Sequence, residues 1–318
     1  MCASALNPYA AMSLAAITYD DEGGTLAEQK AQMSTDLSKL PASADGPWSL
    51  VWGPADNDGV LSFVALNAAR TQYGVAIRGS LSDEDAPGFI SNWFDDVDAF
   101  VQVPWLYPQT LSGVSISSGI NDSLCLLMGA TDPATDLTLM DYLRSVLGTA
   151  GANVMVSGHS LGGALTTVVA PWLYDQLPRT RQVANVTITP YTFAAPTAGG
   201  PAFAAYYDSI FPTSYRCVNT LDIVPMGYEN ISGLMGMYPK PSQTLWDYSG
   251  VLWLAVSVAQ SYMQTNNIVY SQTNLGGVGT TDSFSGPPVS NLSYTAEAEA
   301  QHDHNVYLQH VTPAMKRA

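Results

Sequence analysis

The sequence predicts an α/β fold, with a mostly parallel central sheet flanked by helices and with antiparallel strands at its N-terminal edge. Residues 153–170 read as a short apolar strand, a tight Gly-His-Ser-Leu-Gly turn and an apolar helix. Strand-like and helical patterns alternate around this segment, as in sheets whose parallel strands are joined by helices. Before it, three strand-like runs follow one another across short turns, which is typical of antiparallel hairpins.

The individual elements follow from the same periodicities. Apolar side chains recur at helical intervals over residues 8–40, where Pro41 ends the section, and again over residues 135–147. Strands are predicted at residues 48–52, 59–66, 73–78, 185–193 and 215–219. Residues 271–300 are rich in Gly, Ser, Thr, Asn and Pro and indicate a long surface excursion. No linker or internal repeat is visible, so we expect one domain over residues 1–318.

Composition excludes several classes of protein. The 318 residues are 47% hydrophobic and 12% charged, with a net charge of −16. This charge argues against nucleic acid as a partner and against a polybasic membrane anchor. No apolar run approaches the length of a membrane span, and the N-terminus has no visible signal-peptide pattern. Three cysteines are too few for a disulfide framework. We expect no cofactor and assign no residue as a metal ligand, and the sequence leaves open whether the protein holds a structural metal.

Ser160 lies at the centre of the Gly-x-Ser-x-Gly turn. Such a turn lifts the serine hydroxyl clear of the backbone and places it at the N-terminus of the following helix. The alternative is a serine that merely caps this helix. Ser160 is therefore a candidate nucleophile.

A nucleophilic serine needs a base, and near neutral pH that base is usually a histidine. The chain has four histidines. His159 adjoins Ser160, and the turn points neighbouring side chains apart, so it is excluded. The residues alone leave three candidates, which are His302, His304 and His310.

A carboxylate is needed to orient the histidine, and Asp222 suits this role. It comes just after the strand predicted at residues 215–219, where parallel sheets place functional groups. The alternative is an aspartate that serves only a turn or a helix cap. Asp282, in the predicted surface excursion, has a less favourable setting.

Several segments, taken in order, resemble the class 3 lipases of filamentous-fungal type. The similar segments are residues 77–80, 114–120, 158–164, 193–204, 215–225 and 304–308. The resemblance implies an α/β-hydrolase fold and a Ser160, Asp222 and His304 triad, and it prefers His304 to His302 and His310. It also favours an extracellular protein, although the chain itself leaves the compartment open.

The negative charge that develops during attack on an ester needs preorganised donors. Leu161 offers its backbone N–H at the start of the helix. The resemblance implies Ser80 as the second donor, through its backbone N–H and hydroxyl, while a simple turn serine after Gly79 is the alternative.

In the resembling lipases this part of the chain holds a mobile lid over the acyl site, so the resemblance implies a candidate lid at residues 81–104. Its helical pattern gathers apolar side chains that would cover the acyl site, namely Phe89, Ile90, Trp93, Phe94 and Val97. A fixed amphipathic helix packed on the core is the alternative. Residues 229–300 form an insertion whose apolar parts, 231–237 and 245–262, could line an acyl groove, form a dimer surface or be a buried core helix.

Together these patterns predict a serine carboxylic-ester hydrolase, most simply a lipase that acts on acylglycerols or another small ester. A short-chain or feruloyl-type esterase, a peptidase and a non-catalytic binding protein with this fold are the alternatives. The sequence leaves the acyl-chain length and the oligomeric state open.

Overall fold

The computed structural model describes residues 6–79, 100–108, 111–147, 152–177, 186–238, 249–287 and 294–313. Its strands are β1 (Trp48–Asn57), β2 (Val60–Asn67), β3 (Gln72–Ile77), β4 (Gln102–Pro104), β5 (Ser115–Ser117), β6 (Ala152–His159), β7 (Val186–Phe193), β8 (Tyr215–Asn219) and β9 (Thr280–Phe284). Its α-helices are α1 (Pro8–Ile17), α2 (Leu26–Lys39), α3 (Ser118–Gly129), α4 (Leu139–Val146), α5 (Leu161–Gln176), α6 (Pro201–Ile210), α7 (Ser249–Thr265), α8 (Tyr294–His302) and α9 (His304–Val311).

Seven strands form one sheet in the order β1-β2-β3-β6-β7-β8-β9, while β4 and β5 pair in a small separate ribbon. The first three strands are antiparallel to one another, and every pairing from β3 to β9 is parallel. The predicted fold class and the position of the antiparallel edge are therefore confirmed. In a parallel sheet the ends of neighbouring strands meet at one edge, and this arrangement places Ser160 and Asp222 on the same side of the molecule.

The surface excursion predicted over residues 271–300 is wrong in part. Strand β9 lies within it and pairs in register with β8, from Tyr215 opposite Thr280 to Asn219 opposite Phe284. An edge strand needs only partial burial, and β9 is exposed or half-buried throughout. Its polar, threonine-rich sequence therefore resembles a loop, although its backbone completes the sheet.

Local capping explains where the predicted helices begin. The helical section at residues 8–40 divides into α1 and α2, and α2 starts at a capping box in which Thr25 and Glu28 exchange hydrogen bonds. The helix predicted from residue 135 starts only at Leu139, because the Thr138 side chain accepts the Asp141 N–H and sets the first turn.

Both faces of the sheet are buried. Along β3, Val75 and Ile77 point into one core beneath α3, α4 and α5, whereas Ala76 points into the other, beneath α1 and α2. This alternation is the two-residue period of a strand covered on both sides. The second core also includes Tyr307 of α9, so the C-terminal helix is tied to the sheet.

A third cluster lies beneath α7. Val256 and Ala259 pack there with Phe100 and Val224, which lies two residues after Asp222. On the opposite side of α7, Leu254 and Val258 are exposed, Leu254 at 67%. The buried side of α7, with Val256 and Ala259, therefore agrees with the alternative that this part of the insertion is a core helix. Among the described residues, no helix is long and apolar enough to cross a membrane.

Candidate active site

Ser160 occupies the turn between β6 and α5. Its backbone has φ +60° and ψ −129°, a conformation that costs a non-glycine residue about 1–3 kcal/mol. A Cβ at Gly158 would overlap the main chain of Gly162, so strand and helix approach each other more closely than a side chain allows. The Ser160 N–H donates to the Phe193 carbonyl at 3.0 Å, which anchors the turn to β7. These contacts hold the serine hydroxyl at a fixed position.

Asp222 lies in the loop after β8 and is fully buried. Its Oδ1 accepts the Val224 N–H at 2.9 Å, and its Oδ2 accepts the Tyr307 hydroxyl at 2.6 Å. The same hydroxyl oxygen accepts the Asn219 N–H at 3.1 Å. The carboxylate is thus held by main-chain and side-chain donors, as a buried charge requires.

His302 joins these two residues. Its Nδ1 lies 2.8 Å from Asp222 Oδ2, and its Nε2 lies 2.8 Å from Ser160 Oγ. If Nδ1 carries the proton and donates it to the carboxylate, Nε2 is free to accept the Ser160 hydroxyl. We call Tyr307, Asp222 and His302 the Asp222 cluster.

This geometry corrects the choice of His304 as the base. His302 is the last residue of α8 and His304 the first residue of α9, and Asp303 between them caps α9 by accepting the Asn305 N–H. Because the chain changes direction at this cap, the two imidazoles point to different places. The His304 ring stacks on Tyr19, with ring centroids 4.8 Å apart.

His310 lies in a second group of the same composition. Its Nε2 is 3.0 Å from Asp282 Oδ2, and the Tyr215 hydroxyl donates to the same oxygen at 2.5 Å. We call Tyr215, Asp282 and His310 the Asp282 cluster. Of the three C-terminal histidines, His302 is therefore the one that contacts Ser160.

His159, which the sequence excluded as the base, lies behind the site. Its ring centroid is 4.7 Å from that of His302, and its Nδ1 is 3.2 Å from the Tyr19 hydroxyl. Burial, followed by repulsion from His302 and His304, holds the pKa of His159 well below its usual value. His159 is therefore neutral and adds no positive charge beside His302.

Tyr307 has the opposite shift. Burial and the adjacent Asp222 carboxylate raise the pKa of its hydroxyl well above the usual value. The hydroxyl therefore stays protonated and keeps donating to Asp222. Tyr307 lies in the segment 304–308 that carried the family resemblance, but no local pattern identifies it as the support of the acid.

One of the two predicted oxyanion donors lies in the described part of the chain. Leu161 is the first residue of α5, so its N–H lacks an intrahelical acceptor and lies next to the nucleophile. Ser80 falls outside the described residues. Gly79, just before it, is held by Tyr19, whose hydroxyl accepts the Gly79 N–H at 3.1 Å.

The predicted lid also falls mainly outside the described residues. These residues include Phe89, Ile90, Trp93, Phe94 and Val97, so the lid stays a prediction. Phe100 is the first described residue after this gap, and it packs in the cluster beneath α7.

Comparisons with known proteins agree with this geometry. The family model described as Lipase (class 3) matches residues 74–229. A lipase of Rhizomucor miehei is 33% identical over 164 residues, which are 52% of this chain and 39% of that protein. A secreted mono- and diacylglycerol lipase of Gibberella zeae is 32% identical over 101 residues, 30% of each protein. The matched region thus spans well under half of these relatives.

Similarity to a solved structure extends further along the chain. The crystal structure of M37 lipase superimposes with a TM-score of 0.75 and 25% identity, covering 93% of this chain and 88% of that one. The α/β-hydrolase fold therefore extends beyond the segment that the family model matches. On this combined evidence, the segment 74–229, which carries Ser160 and Asp222, is similar to the class 3 lipases, and the fold around it is similar to that of M37 lipase.

Proposed function

We propose that this chain is a serine carboxylic-ester hydrolase that cleaves acylglycerol esters, with Ser160, His302 and Asp222 as its catalytic triad. The observation that carries the proposal is the pair of 2.8 Å contacts that His302 makes with Ser160 Oγ and Asp222 Oδ2. A nucleophile, a base and an orienting carboxylate in this order form the arrangement needed for acyl transfer.

In the first half of the reaction, Ser160 Oγ attacks the ester carbonyl carbon while His302 Nε2 takes the hydroxyl proton. Asp222 stabilises the imidazolium that forms and keeps its ring in place. The Leu161 N–H and the predicted donor Ser80 hold the carbonyl oxygen as it gains negative charge, and each such donor is typically worth about 3 kcal/mol. The leaving alcohol then takes the proton from His302, and an acyl-serine remains.

In the second half, His302 removes a proton from water, which attacks the acyl-serine at the same carbonyl carbon. The carboxylic acid leaves, and Ser160 Oγ recovers its proton from His302. The neutral state of His159 supports this cycle, because a second positive imidazole 4.7 Å away would disfavour protonation of His302.

Acylglycerols are the substrate class that the relatives support. One relative is described as a mono- and diacylglycerol lipase and others as lipases. The exposed side chains of Leu254 and Val258 on α7 are compatible with a lipid substrate. We further propose that residues 1–318 act as one domain and that the segment 81–104 covers the acyl site.

A fluorophosphonate probe tests the nucleophile directly. Such a probe forms a covalent bond with an activated serine, so we expect stoichiometric labelling of the wild-type chain at Ser160, read by mass spectrometry of the intact protein and its peptides. Ser160→Ala should not be labelled and should lose about 10⁶-fold in kcat towards a nitrophenyl ester. An unlabelled but folded wild-type chain would favour a binding protein that keeps the fold without activity.

Substrate class is tested by a series of nitrophenyl esters of increasing acyl length, together with emulsified mono-, di- and triacylglycerols. A lipase should prefer medium or long chains, and a mobile lid should raise the rate of hydrolysis above the solubility limit. Preference for the shortest esters or for feruloyl esters would indicate that the enzyme is an esterase and not a lipase. A casein assay that succeeds where all esters fail would indicate a peptidase.

A further inference from the structure

The Asp282 cluster lies next to a buried thiol. Cys217 of β8 and Asp282 of β9 are directly opposite each other in the parallel register, so their side chains point to the same face of the sheet. His310, in the last turn of α9, reaches this pair from the helix that packs on that face. The Phe284 ring stacks on His310 with centroids 4.0 Å apart and limits where the imidazole can lie.

These three side chains offer a mixed set of metal ligands. The Cys217 sulfur, an Asp282 oxygen and a His310 nitrogen all lie within 4.8 Å of one another. Bonds from Zn²⁺ to such atoms are about 2.0–2.3 Å long, which places the ligands of a tetrahedral ion roughly 3.3–3.8 Å apart, so the group would have to contract by roughly 1 Å to hold one ion. Three elements that are distant in the sequence would then be joined, which is why no spacing motif reveals the group.

We propose that Cys217, Asp282 and His310 form a binding site for a thiophilic divalent cation, with Zn²⁺ as the best fit. Thiolate and imidazole suit zinc, whereas calcium and magnesium prefer oxygen ligands. A water molecule would complete a tetrahedral site. The Tyr215 hydroxyl, which already contacts Asp282 Oδ2, is placed to orient the carboxylate.

Charge balance is compatible with this choice of ion. On binding of Zn²⁺ the Cys217 thiol would become a thiolate and lose its proton to solvent. One thiolate, one carboxylate and a neutral imidazole then balance the double charge of the ion, so the complex is neutral.

A cation bound at this site would stabilise the C-terminal part of the fold. It would connect β8, which leads into the Asp222 loop, with α9, which carries Tyr307. A bound cation would therefore stabilise the elements that support the acid, without contacting Ser160 or His302. The inference does not depend on the proposed ester hydrolysis.

Titration of the full chain with Zn²⁺ and Co²⁺ tests the site. The protein is prepared without a polyhistidine tag, treated with EDTA and dialysed, and binding is followed by calorimetry and by Co²⁺ absorption. We expect one ion per chain, release of one proton, and a thiolate-to-cobalt charge-transfer band. Zn²⁺ should also raise the melting temperature of the wild-type chain.

Variants locate the ion. His310→Gln should weaken Zn²⁺ binding by about tenfold or more, and Cys217→Ser should remove the cobalt band. The matched controls are His304→Gln and Cys125→Ser, which change a partly exposed histidine and an exposed cysteine outside the cluster and should bind as the wild type does. If Cys217→Ser does not fold, the His310→Gln variant still tests the site, because this side chain is partly exposed. Absence of saturable binding, or equal losses in the controls, would overturn the proposal.

Discussion

The Asp222 cluster and the Asp282 cluster share one hydrogen-bond pattern but differ in their surroundings. Asp222 accepts a tyrosine hydroxyl at 2.6 Å and faces the Nδ1 of its histidine at 2.8 Å, whereas Asp282 accepts a tyrosine hydroxyl at 2.5 Å and faces the Nε2 of its histidine at 3.0 Å. The Asp222 side chain is fully buried, and that of Asp282 is 35% exposed. In the Asp222 cluster, the histidine also contacts Ser160 at the start of a helix. In the Asp282 cluster, the aspartate and the histidine lie beside a buried thiol.

This difference identifies what makes such a group catalytic. A tyrosine, an aspartate and a histidine in contact orient an imidazole in both places. Of the two clusters, only the Asp222 cluster places the second imidazole nitrogen against a hydroxyl that a strained turn holds at the N-terminus of a helix. In the proposed mechanism, the nucleophile and its oxyanion donors therefore define the chemistry, and the carboxylate–imidazole pair alone does not.

The largest effect expected from this difference concerns the two carboxylates. Asp222→Asn should lower kcat for a nitrophenyl ester by about 10⁴-fold, because an amide favours the wrong tautomer of His302. Asp282→Asn makes the same chemical change in the other cluster. It should leave kcat within about threefold of wild type, since the two sites share no reacting atom.

Steady-state kinetics at saturating ester, with circular dichroism as a check of folding, measures both variants. Equal loss of kcat in the two variants would mean that Asp222 is only a structural carboxylate. Loss in Asp282→Asn alone would reverse the assignment of the clusters.

A smaller effect is expected at the two tyrosines. Tyr307→Phe removes a hydrogen bond to a buried carboxylate and leaves the Asn219 N–H without this acceptor. We expect the free energy of unfolding to fall by about 2 kcal/mol and kcat to fall by about tenfold, with little change in KM. Tyr215→Phe is the matched control, and its kcat should stay within about twofold of wild type. Urea unfolding and ester kinetics on the same preparations measure both, and a Tyr307→Phe enzyme with full kcat would contradict the positioning role.

Much of the fold was predictable because its elements follow local rules. The three early strand-like runs and the apolar strand before the Gly-His-Ser-Leu-Gly turn are present in the structure as β1, β2, β3 and β6. Strand β9 was missed, because an edge strand with half-exposed threonines has no distinctive hydrophobic pattern. The pairing of β9 with β8 depends on the register of the sheet, which is set by the tertiary structure and not by the local sequence.

The candidate site was also predictable only in part. The Gly-x-Ser-x-Gly turn identifies Ser160 as its central residue, and Asp222 follows directly from the end of a predicted strand. The choice between His302 and His304 depends on a helix break at Asp303, where two residues of sequence separate an imidazole facing Ser160 from one facing Tyr19. No local pattern sets that orientation, so elimination could reduce the candidates but could not choose among them.

The smallest effect concerns pH. Folded His159 has a pKa well below its usual value, so the unfolded chain binds a proton there that the folded chain does not. The contribution of His159 to the free energy of unfolding should therefore be lost as the pH is lowered from about 8 to about 5, through the unfolded pKa of about 6.5. Urea unfolding at both pH values should show a smaller difference for His159→Asn than for the wild type. Identical pH dependence in the two proteins would contradict the neutral, buried state of His159.

The identity of the base is tested most directly by changing the three C-terminal histidines one at a time. His302→Ala should lose about 10⁶-fold in kcat and react with the fluorophosphonate probe far more slowly than wild type. His304→Ala and His310→Ala should stay within about tenfold of wild-type kcat, because neither imidazole contacts Ser160. An inactive His304→Ala enzyme beside an active His302→Ala enzyme would contradict the account and restore the histidine that the sequence preferred.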